Sequence, residues 1–416
     1  EAVTLSDTTL AASVLNTLDG NTTGAVNAAT VTTLTGTAAV VNTALGSSGI
    51  SGLGNEAVTI SDTSITASAL NTLDGNTTGA VNAATVTTIN GSAADANTAY
   101  ASSGITGLGN EVVVISDTSL VASVLNTLDG NTTGAVNAHN VTTITGTAAD
   151  ANTAYASGGI AGLDSETVTI SDTTLAATVL NTLDGNTTGS VNATTVTTLT
   201  GAAAAVITAY NSSGISGLGN EKLTLSGNTS VTNANTLAAD TTGVITATIT
   251  ETDAATLATL TETTNAYTIT VGDTSVTAAN LNTIDGATTV AVTATAVTTI
   301  TGAAADVNTA YASSGINGLG NEAVTLSDTT LAVATLNTLN GNTTGAVNAA
   351  TVTTLTGAAS AMNTAYTAGG NSEISGLGNE AITLDDTTLA VATLNTLNGN
   401  TTGVVNAATV ATLTGA

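Results

Sequence analysis

Ser61-Asp62-Thr63-Ser64-Ile65-Thr66-Ala67-Ser68-Ala69-Leu70-Asn71-Thr72-Leu73-Asp74-Gly75-Asn76-Thr77-Thr78-Gly79 carries a helix start, a helix stop and a polar turn in one short stretch. The chain repeats it almost verbatim, with cognate segments after Asp7, Asp117, Asp172, Asp273, Asp328 and Asp386. Self-similarity at a fixed period marks an architecture in which each copy buries its apolar face only against the next. Working outward, modules open at equal intervals, at Glu1, Glu56, Glu111 and Glu166, so residues 1–220 hold four regular repeats. Residues 221–266 are irregular, and residues 267–416 hold two full repeats and one truncated repeat. The second of those full repeats, Glu322–Asn379, carries three extra residues near Gly369-Gly370-Asn371-Ser372-Glu373. Nothing is left over for a separate catalytic domain. The chain opens on Glu1 and stops at Ala416 in mid-module, so it reads as a piece of a longer protein.

Within the module at Glu56, Val58-Thr59-Ile60-Ser61 alternates apolar and polar residues, the pattern of a half-buried strand. Asp62 or Thr63 is placed to cap a helix of about ten residues, with Ile65, Ala69 and Leu73 on one face. Gly75 follows the last turn, where a left-handed cap is expected. Gly79 to Ala83 and Val86 to Ile89 read as strands, and Gly91-Ser92 opens a second helix carrying Ala93, Ala96 and Tyr100. Ile105 to Leu108 reads as a last strand. The two halves resemble each other, Leu70-Asn71-Thr72 matching Ala96-Asn97-Thr98. The expectation is a repeat solenoid of mixed α/β character, with short strands plus short helices and two coils per 55-residue unit. The alternative is an all-β solenoid with the Ala-rich stretches as corners. Tyr100, Tyr155 and Tyr210 recur at the module period, as do Tyr311 and Tyr366, and would form a packing column. In the irregular stretch, Val244 to Thr250 is strand-like and Asp253 to Leu260 fits a compressed helix.

Composition narrows the function classes. The chain has one Lys, no Arg, Pro, Cys, Trp or Phe, 43 Gly and a formal charge of −28. Its 42 % hydrophobic content, mostly small aliphatics, argues for a thin packed core rather than disorder. Twenty-nine acidic groups against one lysine exclude the electrostatic footing of nucleic-acid or anionic-membrane binding, and leave divalent cations or basic partners. The longest apolar run, Ala202 to Ile207, falls far short of a membrane span, so no membrane insertion is expected. With Lys222 the only basic side chain, trypsin has almost nothing to cut.

Candidate chemistry is sparse. His139 stands where other modules have Ala29 or Ala84, with no nucleophile arranged around it, and no enzyme is expected. Asp7, Asp62, Asp117, Asp172, Asp273 and Asp328 recur at one position, and Asp19, Asp74, Asp129 and Asp184 at another, with Asn340 and Asn398 in the later modules. Stacked like charges favour an intervening cation, and oxygen-only ligands suit calcium, so the first set are calcium candidates. The same residues also serve as helix caps, and the second set sit in Asp-Gly turns. Asn21, Asn76, Asn131, Asn186, Asn342 and Asn400 each open an Asn-Thr-Thr acceptor for N-glycosylation. Val31-Thr32-Thr33-Leu34-Thr35 and its copies would make threonine ladders, the basis of a minor ice-binding alternative.

Leu15-Asn16-Thr17-Leu18-Asp19-Gly20-Asn21-Thr22-Thr23-Gly24, Val31 to Gly36 and Gly49 to Leu53 together resemble the repeats of giant, acidic, threonine-rich surface proteins of aquatic bacteria, cyanobacteria included. The resemblance covers nearly all of the chain, least well 221–266. It implies export, an extracellular or cell-surface location and an adhesive or fibre-forming role, and carries no catalytic or binding residue across. The functional expectation is a structural segment of an extracellular fibre or cell-surface appendage that self-associates into a filament. The alternative is the stalk of a large adhesin.

Overall fold

The computed structural model describes residues 1–415. They form two compact units, residues 1–197 with 208–218 and residues 198–207 with 219–415. Each unit is a repeat solenoid of short parallel strands and short helices. The all-β alternative does not hold, because the Ala-rich stretches are helices: Ala93–Ala101 buries Ala93, Ala96 and Ala99 along one face.

The module at Glu56 runs strand Ala57–Ile60, strand Ser64–Thr66, helix Ala67–Asn76, strands Val81–Asn82 and Thr88–Gly91, helix Ala93–Ala101, and strand Ile105–Thr106. Its core is thin. Ala67, Leu70 and Leu73 of the first helix and Val81, Ala83 and Ile89 of the strands are all 0 % exposed. Each buried leucine contributes about 2 kcal/mol, and helices this short stand only because of that packing.

The segment after the first helix holds two strands, but the segment after the second holds three: Ile105–Thr106, Val112–Ile115 and Ser119–Val121. That mismatch turns each sheet into a staircase. Leu34 pairs with Val58, and Val58 pairs with Val81, so two steps across the sheet lead from Leu34 to Val81. The residue that repeats Leu34 one module later is Ile89, which lies on the next strand of the same coil. Two steps therefore fall one strand short of a module. In the first unit the five-stranded sheet that begins at Thr9–Ala11 ends at Ile105–Thr106, while the next begins at Ser64–Thr66 and ends at Ile160–Ala161.

Local expectations shift accordingly. Ser64-Ile65-Thr66 is a strand, and the helix starts later than the apolar spacing implied, with the Thr66 hydroxyl accepting from the Ala69 N–H at 3.3 Å. Ile65 is buried from that strand rather than from the helix. Gly75 lies inside the helix and is not a left-handed cap; the helix ends at Asn76 and the chain leaves through extended Thr77. The reason is the stack: buried Thr77 donates its hydroxyl to the Glu56 carbonyl, and Gly79 passes so close beneath that carbonyl that a Cβ would lie 2.2 Å from it. The second helix begins as expected, the Ser92 hydroxyl accepting from Asp95 N–H at 3.0 Å.

In the second unit the irregular residues form strand Lys222–Thr229, helix Val231–Asp240, strand Ile245–Ile249, a single helical turn Ala254–Leu257 and strand Ala266–Thr268. Here the two strands that Ser61-Asp62-Thr63 separates in a regular module run together, with a bulge between Thr224 and Asn228 where Gly227 takes φ 73°. Among the described residues no helix is long and apolar enough to cross a membrane.

Candidate functional site

Four clusters of polar side chains that recur with the module join one coil to the next. The first is the cap. Asp62 Oδ2 accepts from the Ala38 N–H at 2.7 Å, Asp117 from Ala93 at 2.8 Å and Asp172 from Ala148 at 2.8 Å. Asp273, Asp328 and Asp386 do the same for Ala254, Ala304 and Ala359. In each case the acceptor belongs to the coil after the helix it caps. The carboxylate satisfies a first-turn donor and sits at the positive end of the helix dipole, where it stabilises by about 1 kcal/mol. The sequence placed Asp62 on the helix that follows it; the structure places it on the helix before, because Val58 stacks beside Leu34 and carries the chain after it past the start of the earlier helix. Asp7 is exposed in the first coil, where the described residues hold no preceding helix.

The second cluster is built on the glutamates that open the modules. Glu56, Glu111, Glu322 and Glu380 are 0 % exposed and Glu166 is 3 % exposed. Glu111 Oε2 accepts from Gly109 N–H at 2.8 Å, Asn110 N–H at 3.1 Å and the Tyr100 hydroxyl at 2.9 Å. Tyr155, Tyr311 and Tyr366 donate to Glu166, Glu322 and Glu380 in the same way. The tyrosines predicted as a packing column are thus hydrogen-bond donors to buried carboxylates. Burial, with the adjacent carboxylate, pushes these phenols well above the ordinary tyrosine value. Glu56 has Leu45 at the matching tyrosine position and keeps only the backbone donors. Sequence reasoning used these glutamates as module boundaries and missed their role; the signal was Tyr and Glu recurring together at one fixed offset, as Tyr100 with Glu111 and Tyr155 with Glu166.

The third cluster pairs a helix aspartate with a serine one coil on. Ser102 donates to Asp74 Oδ2 at 2.6 Å, and Ser47, Ser157, Ser212 and Ser313 bond Asp19, Asp129, Asp184 and Asp285. Gly104 is required beside it, since a Cβ there would lie 2.1 Å from Asp74 Oδ1. In the module with three extra residues that glycine is Glu373 and the aspartate is Asn340, whose amide donates to Glu373 Oε2 at 3.0 Å. Changing both partners avoids setting two carboxylates against each other.

The fourth cluster holds the predicted glycosylation asparagines. Asn76 Nδ2 donates to Asn42 Oδ1 at 2.9 Å, and Asn131, Asn186, Asn342 and Asn400 donate to Asn97, Asn152, Asn308 and Asn363. Asn42 in turn donates to the Ala69 carbonyl of the next helix. Asn21 is exposed in the first coil. A glycan would have to share the amide nitrogen with that hydrogen bond.

The calcium candidates Asp7, Asp62, Asp117, Asp172, Asp273 and Asp328 stand one to a module, and among the described residues no three His, Cys, Asp or Glu side chains come together around a common point. His139 is exposed, its Nδ1 2.5 Å from Asn137 Oδ1. Comparison with known protein families, with curated proteins and with solved structures gave no match.

Proposed function

We propose that this chain is a structural segment of an extracellular fibre or cell-surface appendage, and that it self-associates along its stacking direction into a filament. The observation that supports this reading is the direction of the caps. The helix Ala93–Ala101 is completed by Asp117 of the following coil, and the helix Ala67–Asn76 donates Asn71 Nδ2 to the Asp95 carbonyl of the coil after it. A coil with polar groups that its neighbour satisfies is a unit made for addition. Its function is then mechanical: length, a repeated surface and few sites for proteases. Most of its carboxylates act as internal staples rather than as a free anionic coat. Strand edges at the ends of such a stack offer unpaired backbone groups that a further copy can continue.

Electron microscopy of the native material, with and without a calcium chelator, tests this. Uniform unbranched filaments are the expected result, and their loosening by chelator would add calcium to the assembly. Isolated rods tipped with a distinct head would replace the fibre reading with the adhesin stalk.

A further inference from the structure

The module Glu322–Asn379 departs from the others in several coordinated ways. Its second helix, Ala359–Gly370, has 12 residues where Ala93–Ala101 has 9. The strand that follows pairs Ile374 with Val347, where a regular module pairs Ile105 with Val81, so the added residues are absorbed between the paired strands and the register is kept. Ser372 takes φ 65°, the one non-glycine among the described residues in the left-handed region. It is the left-handed residue that closes the lengthened helix, its N–H donating to the Gly369 carbonyl at 3.1 Å and the Glu373 N–H to the Ala368 carbonyl at 3.0 Å. Next to it lies a hollow of about 330 Å³, lined by Tyr366, Gly369, Gly370, Ser372, Ser375 and Asn400 among others. Its size is at the lower end for small-molecule sites.

We propose that this hollow binds one residue of a neutral sugar. The lining chemistry selects the class. In regular modules the serine three residues before this strand pairs with an aspartate, as Ser102 does with Asp74, and here its place is taken by Asn371. Here the aspartate is Asn340, and it turns to Glu373 instead. Ser372 is exposed, and no protein group engages its hydroxyl among the described residues. Ser375 makes only a long 3.4 Å bond to the Val347 carbonyl. Asn400 commits one amide N–H to Asn363, and its amide oxygen remains to accept. The hollow thus offers hydroxyls and an amide beside the ring of Tyr366, whose own hydroxyl is held by Glu380 at 2.9 Å. Such a mixture of donors and acceptors suits a polyhydroxylated ring. An anionic ligand meets a chain of charge −28, and an apolar one would strip water from groups it cannot pair. The proposal is independent of the fibre reading, which needs no ligand.

The test is ligand-observed NMR and calorimetry on the full chain with glucose, galactose, mannose and N-acetylglucosamine. At least one should bind with a dissociation constant on the order of 1 mM, the scale of a ligand of about a dozen heavy atoms. Ser372→Gly keeps the left-handed turn and removes the hydroxymethyl group with its hydroxyl, and should weaken binding about threefold to tenfold. Deleting residues 369–371 restores the regular module length, so the coil should still fold, as circular dichroism would check, and binding should be lost. No binding by any of the four sugars at about ten times that concentration overturns the proposal. So does binding that survives the deletion, or binding that Ser372→Gly leaves unchanged.

Discussion

Replacing Asp117 by alanine separates the two places where its carboxylate could act. The side chain is near in sequence to the helix Ala122–Asn131, yet its Oδ2 accepts from the distant Ala93 N–H at 2.8 Å. Losing an N-cap acceptor costs about 1 kcal/mol, and losing the negative charge at the helix N-terminus adds about 0.5 kcal/mol. Local opening of Ala93–Ala101 should then become roughly tenfold more frequent. Asp117→Asn keeps an acceptor of similar shape and should show only the smaller, electrostatic part. Amide hydrogen exchange followed by mass spectrometry on the full chain reads this directly, because the two helices give separate peptides. Faster exchange should be confined to Ala93–Ala101 and the coil packed on it. Faster exchange in Ala122–Asn131 alone, with Ala93–Ala101 unchanged, would show that the cap acts locally and refute the cross-coil argument.

Three further outcomes can be measured. Glu111→Ala removes the acceptor of three part-buried donors, Gly109 N–H, Asn110 N–H and the Tyr100 hydroxyl, which water can partly satisfy; at about 1 kcal/mol each, less the relief of burying a charge, the module should lose about 2 kcal/mol, read as an early urea transition, while Tyr100→Phe should cost about 1 kcal/mol. Gly104→Ala drives a methyl to 2.1 Å from Asp74 Oδ1 and should destabilise by about 1–3 kcal/mol, whereas Gly75→Ala, inside a helix with open space around it, should stabilise by about 0.5–1 kcal/mol; thermal melts of the two variants moving in the same direction would contradict the stacking. Burial, with the Glu262 charge adding to it, pushes the Tyr267 phenol up to about 12. A group whose folded value is raised gives stability that is complete below its ordinary value near 10 and is lost as pH rises toward its folded value. Stability should therefore hold to about pH 10 and fall between about pH 10 and 12, and a flat profile across that window in urea titrations would count against the buried tyrosines.

The elements were legible because their signals are local. Gly91-Ser92 opens the second helix where the reading put it, with Ala93 and Ala96 buried on the expected face; the third buried residue is Ala99, and Tyr100 is half-buried beside it. Ile65 misled for a physical reason: it is apolar at helical spacing from Ala69 and Leu73, yet it is buried as the middle of a short strand. Gly75 misled likewise, since an Asp-Gly pair reads as a turn, but Thr77 must stay extended to reach the Glu56 carbonyl. The glutamates were visible as a period and opaque as chemistry, because a lone carboxylate between Asn110 and Val112 gives no hint that a tyrosine hydroxyl will meet it in the interior.

By itself the sequence determined that this chain is an array and that its core is small and aliphatic, and it favoured two short helices among short strands in each module while leaving an all-β solenoid open; periodicity and propensity act over a few residues and survive without knowledge of partners. Only the tertiary structure decided which coil completes which. Two steps across a sheet fall one strand short of a module, so every sheet slides sideways as the coils stack. That slide sends Asp62 back to the Ala38 N–H and Thr77 back to the Glu56 carbonyl. Side-chain bonds over such separations are fixed by stacking register, which no local pattern encodes.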